Sequence, residues 1–251
     1  MNPPILATRN LGLDIGGAQI VVDVSLEVAE GELLGIIGPN GAGKTSLFNL
    51  ISGLYRPTAG RIELAGRDIT KHATFRRTRA GLGRTFQVSS VFPLLTASEN
   101  VRLAAEAAVG GTLRIWRRAT SVKPAVERAR GVLERVGLQA SSTVPAGALS
   151  HGDKRRLELA MLLAADAPVM MLDEPMAGVS AENVPELVAL IGSIHRDEGK
   201  TVLMVEHHME VVTRLAQRIA VMHLGALLAC DTPKNVMANE TVQSAYLGEE
   251  L

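Results

Sequence analysis

The amino-acid sequence predicts an α/β fold. Short apolar runs alternate with amphipathic stretches for most of the 251 residues, and this alternation is typical of strands connected by helices. A glycine-rich turn follows the first predicted strand and leads into a predicted helix. A long helical stretch interrupts the alternation in the middle of the chain, which indicates an insertion into one core.

Six apolar segments are predicted to be strands. The first precedes the glycine-rich turn, and the second alternates apolar and polar residues and ends at Gly66. The next two are short, apolar and partly β-branched, which favours central strands that are buried on both faces. The last two are predicted to form a closing pair. In order, the segments cover residues 32–37, 61–65, 169–172, 201–205, 218–222 and 226–229.

The predicted helices occupy the stretches between these strands. The first covers residues 45–52, and Thr232-Pro233 opens a short helix near the C-terminus, with proline at its favoured first position. Residues 89–165 are mostly helical in pattern, and Ser98 and Lys123-Pro124 are predicted helix starts. The middle region is therefore predicted to be a helical insertion between two parts of one core.

Composition restricts the classes of protein that the sequence fits. Lysine and arginine balance aspartate and glutamate, 26 against 26, so bulk positive charge does not support a nucleic-acid partner. Cys230 is the only cysteine, which excludes an internal disulfide and a cysteine metal cluster. No apolar run approaches the roughly 20 residues that cross a bilayer, and the first residues do not resemble a signal peptide. Membrane association is therefore expected only through partners.

The strongest local motif is the glycine-rich turn at residues 38–45, which matches the complete P-loop pattern. Its glycines let the backbone curl so that successive N–H groups point at phosphate oxygens. Lys44 supplies charge to the β- and γ-phosphates, and the Thr45 hydroxyl can bind magnesium. The alternative is a flexible loop, but the position between a strand and a helix favours a nucleoside triphosphate. The predicted binding residues are Gly38, Pro39, Asn40, Gly41, Ala42, Gly43, Lys44, Thr45 and Ser46.

The second half of the predicted site is the run 169–174, in which four apolar residues precede Asp173 and Glu174. A carboxylate at the end of a buried strand lies at the crevice where α/β proteins bind ligands. Asp173 is predicted to hold magnesium, directly or through water, and Glu174 to polarise the water that attacks the γ-phosphate. Taken alone, such a run is more often an acidic turn, and it is the P-loop that favours the catalytic interpretation.

Three further motifs complete a pattern along the chain. They are Gly83-Arg84-Thr85-Phe86-Gln87, Leu149-Ser150-His151-Gly152-Asp153, and His207 after the strand at 201–205. Taken singly, each has a simpler explanation, such as a surface glutamine or a polar loop residue. Together with the P-loop and the acidic run, and in this order, they resemble the motifs of the ATP-binding cassette (ABC) ATPases over essentially the whole chain.

The resemblance implies a more specific fold within the α/β class. A RecA-like P-loop NTPase core would carry an antiparallel β subdomain and a helical insertion subdomain. One ABC ATP-binding domain would cover residues 1–251, with its core at about 1–88 and 166–251 and the helical subdomain at about 89–165.

The resemblance also implies a site that is completed by a second molecule. Gln87 would link the magnesium site to the helical insertion, and His207 would contact the γ-phosphate. Ser150 and the N–H of Gly152, in the signature motif, would cap the γ-phosphate that is held by the P-loop of a second cassette. The implied catalytic residues are Glu174, His207, Lys44 and Gln87, and the implied metal ligands are Thr45, Gln87 and Asp173.

The ligands and partners follow from the same resemblance. ATP and Mg²⁺ would bind, and the second cassette would be an identical copy or a sister subunit. Separate transmembrane permease subunits would receive the energy, a periplasmic or extracellular solute-binding protein would act indirectly, and no nucleic acid is expected. The expected location is cytoplasmic, peripheral on the cytoplasmic face of the cell (inner) membrane.

Several positions depart from the family pattern. His151 and Asp153 replace the commoner glycine and glutamine of the signature motif, and Asp153 adds a negative charge near the opposite nucleotide. Ser180 and His208 each stand where aspartate is frequent. The family usually stacks adenine on an aromatic side chain ahead of the first long strand. This chain has no aromatic residue around positions 14–17, where Ile15 is the nearest equivalent, and this predicts looser selection of the base.

Within the family, the chain is most similar to the ATP-binding subunits of branched-chain and hydrophobic amino-acid importers. The C-terminal residues 245–249, the arginines at 155–156 and the stretch 107–123 are typical of that group. ATPases of lipopolysaccharide export share the C-terminal ending but usually lack the stretch. Basic residues surround Trp116 within it, and they are interpreted as a solvated loop, with a membrane-surface contact as the alternative.

Two other classes of protein are alternatives. A soluble ABC ATPase of translation or DNA repair would carry a second cassette, a coiled coil or a zinc insertion, none of which is found in the sequence. A P-loop kinase or GTPase would have no reason to carry the signature motif. The solute itself is not identified by the sequence, because it does not contact a cassette.

Overall fold

The structure, a computed structural model, describes residues 3–85, 91–108 and 118–247, and within these ranges two β-sheets form the centre of the fold. The smaller sheet is antiparallel and has the strand order β2-β1-β4-β5. Its strands are β1 (Leu6–Ile15), β2 (Ala18–Val28), β4 (Ala59–Leu64) and β5 (Arg67–Asp68).

The larger sheet is parallel except at one edge. Its strand order is β10-β9-β3-β8-β7-β6, and β10 pairs antiparallel with β9. Its strands are β3 (Leu33–Ile37), β6 (Leu82–Arg84), β7 (Val169–Asp173), β8 (Thr201–Val205), β9 (Arg218–His223) and β10 (Ala226–Asp231). The non-consecutive order means that helices cross over between strands, as in a RecA-like α/β core.

The helices follow the strands along the chain. The first begins directly at the glycine-rich turn, and a short 3₁₀ turn at Ala146–Ala148 precedes the fifth. In order, the helices are α1 (Lys44–Ser52), α2 (Thr74–Arg79), α3 (Ala97–Ala108), α4 (Arg118–Arg135), α5 (His151–Ala164), α6 (Val184–Glu198), α7 (Met209–Leu215), α8 (Pro233–Met237) and α9 (Glu240–Leu247).

Two hydrophobic cores lie on opposite faces of the larger sheet. In β3, Leu34 and Ile36 belong to the core shared with α1 and the antiparallel sheet, while Leu33 and Ile37 belong to the core shared with α3 to α7. The side chains of β7, β8 and β9 alternate in the same way. Because each face of these strands is covered, the strands need apolar residues at every position, which is why they were predictable from sequence.

The predicted central strands are confirmed to within two residues at each end. The first two strands of the antiparallel sheet were not predicted individually, because the pattern of β1 is irregular. The register of its pairing with β2 shifts between Thr8 and Leu11, and Asn10 has φ of 47°. A bulge of this kind places extra residues in the strand and breaks the alternation on which prediction depends.

One predicted helix start is confirmed and one is wrong. α3 begins at Ala97, within one residue of the predicted Ser98, and Thr96 and Glu99 form a capping box in which the side chain of each binds the backbone N–H of the other. α4 begins at Arg118, so Pro124 lies inside the helix rather than at its start.

Burial explains why α4 continues past its proline. Ala125, Ala129 and Leu133 recur at helical spacing and are buried in the core. An interior proline costs about 3 kcal/mol, and tertiary packing of such an apolar face offsets a cost of this size.

The region predicted as a helical insertion contains α3, α4 and α5, which share one hydrophobic core with the larger sheet. The subdomain boundaries at about 88–89 and 165–166 remain a prediction, and the first of them lies outside the described residues. Within the described ranges, no helix combines the length and the apolar character needed to span a bilayer.

Candidate active site

The ends of three neighbouring strands bring most of the predicted site residues together. β3, β8 and β7 lie side by side, and Val205 pairs with Ile36 on one side and with Asp173 on the other. The backbone N–H of Glu174 donates to the carbonyl of Val205 at 2.9 Å, which keeps two of the strand ends level. The P-loop, Glu174 and His207 therefore leave the sheet at one edge, the edge at which α/β proteins bind ligands.

Three P-loop glycines, Gly38, Gly41 and Gly43, adopt backbone conformations that other residues rarely adopt. The φ angle is 78° at Gly41 and 93° at Gly43. A Cβ atom added at Gly43 would lie 2.8 Å from the carbonyl oxygen of Ile20 in β2, whereas nothing lies within 4 Å of one added at Gly41. The loop thus curls between β3 and α1 and packs directly against β2, because glycine permits both the dihedral angle and the close approach.

Lys44 is the first residue of α1, and its side chain folds back over the P-loop. The buried ammonium group donates to the carbonyl oxygens of Gly38 at 2.5 Å and Pro39 at 2.8 Å. Its charge is held near the N-terminal end of α1, where backbone N–H groups also favour an anion. Of the other predicted binding residues, Gly38 and Ala42 are buried, Gly43, Pro39 and Ser46 are half-buried, and Asn40, Gly41 and Thr45 are exposed.

Asp173 ends β7 with a buried carboxylate. Its Oδ2 accepts a hydrogen bond from Nη2 of Arg84 at 2.7 Å, while its Oδ1 has no hydrogen-bond partner among the described residues. A buried carboxylate oxygen without a partner is costly, and oxygen-preferring divalent cations satisfy such an atom. The residues present therefore fit Mg²⁺, with Asp173 Oδ1 and the exposed hydroxyl of Thr45 as candidate oxygen ligands.

Glu174 and His207 form a hydrogen-bonded pair. Glu174 follows β7 with φ of 48°, which is a left-handed conformation that is unusual for a residue with a side chain and often occurs at functional sites. Its Oε1 lies 2.9 Å from Nε2 of His207, and the two side chains are 19% and 43% exposed. Because an ionised carboxylate can only accept, His207 donates through Nε2. A carboxylate oriented in this way and open to solvent can accept a proton from water.

Glu206 joins the two loops that carry this pair, although the sequence motifs did not include it. Its buried carboxylate accepts hydrogen bonds from the backbone N–H groups of Met176 at 2.9 Å, His207 at 2.8 Å and His208 at 3.2 Å. It also bonds Nδ1 of His208 at 2.9 Å. Its position at the end of a strand beside the P-loop strand is the sequence feature that could have identified it.

Ser150 and Gly152 lie at the N-terminus of α5, and the structure does not bring them to the P-loop. They line a pocket of about 260 Å³ whose described lining includes no P-loop residue. Ser150 Oγ accepts from the N–H of Asp153 at 3.1 Å and donates to Oδ2 of Asp153 at 2.9 Å, so the aspartate of the signature motif helps to cap the helix. A Cβ added at Gly152 would meet nothing closer than Asn183 at 3.9 Å, so the fold of this chain does not itself require glycine there.

The remaining predicted residues are not tested by the geometry of the site. Ile15 ends β1 at the hairpin to β2 and is 52% exposed, and its contact with adenine stays a prediction. Gln87 lies outside the described residues, as does Trp116 with the basic residues next to it in the stretch 109–117.

Comparison with protein families gives a match to the family model described as ABC transporter over residues 21–177. Three curated relatives cover nearly the whole chain. The high-affinity branched-chain amino acid transport ATP-binding protein LivG of Salmonella typhimurium is 39% identical over 99% of this chain and 100% of its own length. BraF of Pseudomonas aeruginosa, which has the same description, is 37% identical with the same coverage. The lipopolysaccharide export system ATP-binding protein LptB of Haemophilus influenzae is 33% identical over 98% of each chain.

Solved structures with a similar fold are cassettes of the same kind. The ADP conformation of MJ1267, an ATP-binding cassette of an ABC transporter, has a TM-score of 0.84 and 28% identity and covers 98% of this chain and 99% of its own. The dimeric post-hydrolysis state of the cassette MJ0796, bound to ADP and Pi, has a TM-score of 0.78 and 25% identity and covers 91% of this chain and 98% of its own.

Proposed function

Because the chain belongs to the ABC transporter family, we propose that it is the ATP-hydrolysing subunit of an importer of branched-chain or other hydrophobic amino acids. It would act as one ABC ATP-binding domain, peripheral on the cytoplasmic face of the membrane, and drive separate permease subunits. The observation that carries the proposal is the convergence of the P-loop, Asp173 and the Glu174–His207 pair at one edge of the sheet.

The proposed reaction is attack of water on the γ-phosphorus of ATP, which breaks the bond to the β-phosphate oxygen and releases ADP and phosphate. The N–H groups of the P-loop and the Lys44 ammonium would bind the phosphates. Glu174 would accept a proton from the attacking water, and His207 would orient Glu174 through their hydrogen bond.

Mg²⁺ would be held by Thr45, Asp173 and Gln87, and it would supply charge neutralisation on the phosphate oxygens. The orphaned Oδ1 of Asp173 supports this assignment. The chain's own contribution is to keep that oxygen at the end of β7, which is separated from the P-loop strand β3 by β8 alone.

A second cassette would complete the site. Ser150 and Gly152 line a pocket whose described lining includes no P-loop residue. A side chain would fit at Gly152, so packing within this chain does not explain why the residue is glycine. Both facts support a role in which they approach the γ-phosphate bound to an opposing subunit. The similarity to the dimeric cassette MJ0796 supports the same pairing. When this motif faces the nucleotide of the opposing subunit, the hydrogen bond from Ser150 to Asp153 would keep the Asp153 carboxylate pointed toward α5.

The class of solute is proposed from relatives. LivG and BraF, both described as branched-chain amino acid transport proteins, are more similar to this chain than LptB is. The indirect solute-binding protein of such importers belongs to the same proposal.

The substitution Glu174→Gln tests the hydrolytic role. Gln keeps the size of the side chain but cannot accept the proton, so ATP turnover should fall by at least about 100-fold while ATP still binds. We expect the variant to accumulate as a dimer in ATP, measured by light scattering beside a turnover assay. Glu182→Gln, an exposed change on the loop before α6, is the control. Undiminished turnover of Glu174→Gln would remove Glu174 from its role.

The same variant tests the transporter class. An ATP-bound complex that cannot complete hydrolysis should keep its membrane subunits through purification from native membranes. Mass spectrometry should then identify permease subunits of hydrophobic amino-acid importers. Recovery of lipopolysaccharide-export components instead would favour that second ABC system, and recovery of ribosomal or repair proteins would favour a soluble cassette.

A further inference from the structure

We propose that Arg84 is a positioning residue for the proposed site: it holds one oxygen of Asp173 and links it to α1, so that the other oxygen stays available to Mg²⁺. This inference rests on the proposed function, since it assigns a purpose to the site described there. In the sequence, Arg84 belongs to the motif that ends in Gln87.

The guanidinium of Arg84 bridges two elements of the site. Its Nη2 donates to Asp173 Oδ2 in β7 at 2.7 Å. Its Nη1 donates to Asn49 Oδ1 at 2.8 Å and to Ser52 Oγ at 2.7 Å, both in α1. The guanidinium carbon also lies 5.6 Å from the centre of the Phe48 ring, within range of a cation–π contact. One side chain therefore joins the helix that follows the P-loop to the strand that ends in Asp173.

Burial makes this bridge rigid. The side chains of Arg84 and Asp173 are 6% and 1% exposed, so the pair is held away from the solvent that weakens ion pairs at the surface. A buried ion pair to one oxygen restricts the orientation of the carboxylate plane. The second oxygen, Oδ1, is the atom that lacks a hydrogen-bond partner among the described residues. The orientation that Arg84 imposes is thus the orientation that leaves Oδ1 for a cation.

The geometry requires arginine rather than any cation. Its planar fork presents five donors, and here both terminal nitrogens bind acceptors on two different elements. Lysine has three donors on a single nitrogen and cannot reach the same set of acceptors at once. Groups that orient a metal ligand in this way typically contribute 10- to 100-fold to metal affinity.

Arg77 provides a matched comparison. It is also a buried arginine that contacts α1, where its Nη1 donates to the carbonyls of Leu50 and Ile51. Its hydrogen bonds within the described part of the chain go to backbone carbonyls and do not reach Asp173. A variant at Arg77 should therefore reproduce the loss of packing at α1 without the change at the carboxylate.

The test measures nucleotide affinity as a function of Mg²⁺ in the full-length chain, with Arg84→Gln, Arg84→Lys and Arg77→Lys beside the wild type. Binding of a fluorescent ATP analogue is titrated with Mg²⁺ and, separately, in EDTA. For Arg84→Gln we expect the half-saturating Mg²⁺ concentration to rise about 10-fold or more, while affinity in EDTA changes less than about 3-fold. Arg84→Lys should show the same split even if Arg84→Gln does not fold. Arg77→Lys should lower the melting temperature and leave the Mg²⁺ titration unchanged.

Three results would overturn the inference. The first is an unchanged half-saturating Mg²⁺ concentration in folded Arg84 variants, and the second is an equal loss of affinity in Mg²⁺ and in EDTA. The third is a Mg²⁺ shift in Arg77→Lys as large as in the Arg84 variants. Absence of nucleotide binding by the wild type would instead reject the proposed function, and with it this inference.

Discussion

Single residues of the P-loop meet different steric demands although they belong to one motif. Gly41 and Gly43 both have positive φ, at 78° and 93°. An added Cβ would find open space at Gly41, but at Gly43 it would lie 2.8 Å from Ile20 O and 3.3 Å from the Cα of Gly225. Both contacts are with backbone, which cannot rotate away as a side chain can. The motif does not reveal this difference, because it depends on β2 and on the turn after β9.

The pair Gly41→Ala and Gly43→Ala tests this difference. Each change forces alanine into a left-handed conformation, at a cost of about 1–2 kcal/mol. Gly43→Ala should lose about 1–3 kcal/mol more, because the methyl group overpacks against fixed backbone. Urea unfolding of the nucleotide-free proteins measures both values. Equal losses in the two variants would show that β2 moves freely away from the loop.

At the scale of elements, a positively charged side chain lies at each end of α1, and the two serve different purposes. Lys44 and the P-loop occupy its N-terminal end. At the C-terminal end, Nη1 of Arg77 donates to the carbonyls of Leu50 at 2.6 Å and Ile51 at 2.7 Å, and its other nitrogens bind the carbonyls of His72 and Thr70. Burial lowers the pKa of the Arg77 guanidinium below its usual value, but arginine remains charged in proteins. A cation at this end also complements the helix dipole.

Replacement of this buried cation should destabilise the protein strongly. Arg77→Met keeps an unbranched, apolar side chain but leaves several buried carbonyls without their donor. Hydrogen bonds to a charged group contribute about 1.5–3 kcal/mol each, so we expect a loss of at least about 3 kcal/mol in the free energy of unfolding. Arg76→Met, an exposed change on the same helix, should stay within about 0.5 kcal/mol. Similar unfolding midpoints for the two variants would contradict the role of Arg77 as a cap.

At the scale of the whole molecule, several carboxylates in different elements stabilise the folded state only when ionised. A hydrogen bond from Lys200 lowers the pKa of Asp166, and hydrogen bonds with Thr70 and Thr232 lower the pKa values of Asp68 and Asp231. A folded-state pKa below the unfolded one gives stability that is complete above the unfolded pKa of about 4 and is lost as pH falls through the folded value.

The expected outcome is a melting temperature that falls as pH decreases below about 4. Thermal unfolding by circular dichroism between pH 6 and pH 2.5 measures it. Asp166→Asn should make the decline shallower, because one of the depressed groups no longer takes up a proton. A melting temperature that stays constant throughout this range would contradict the interpretation.

The local sequence pattern predicted those elements whose residues all lie in the same kind of environment. β3, β7 and β8 were predictable because both faces of these strands are buried, and the P-loop because all its motif residues lie within one short run of the sequence. The bulged β1 and the start of α4 were not, because tertiary pairing and packing override the local pattern there.

The sequence by itself thus determined the α/β class, the order of the motifs and the carboxylates at the strand ends. Only the tertiary structure decided that Arg84 meets Asp173, a residue 89 positions away, and that Glu206 joins the loops of Glu174 and His207. The physical reason is the range of the interactions: strand and loop patterns reflect contacts between near neighbours, whereas a buried hydrogen-bond network depends on which strands lie side by side.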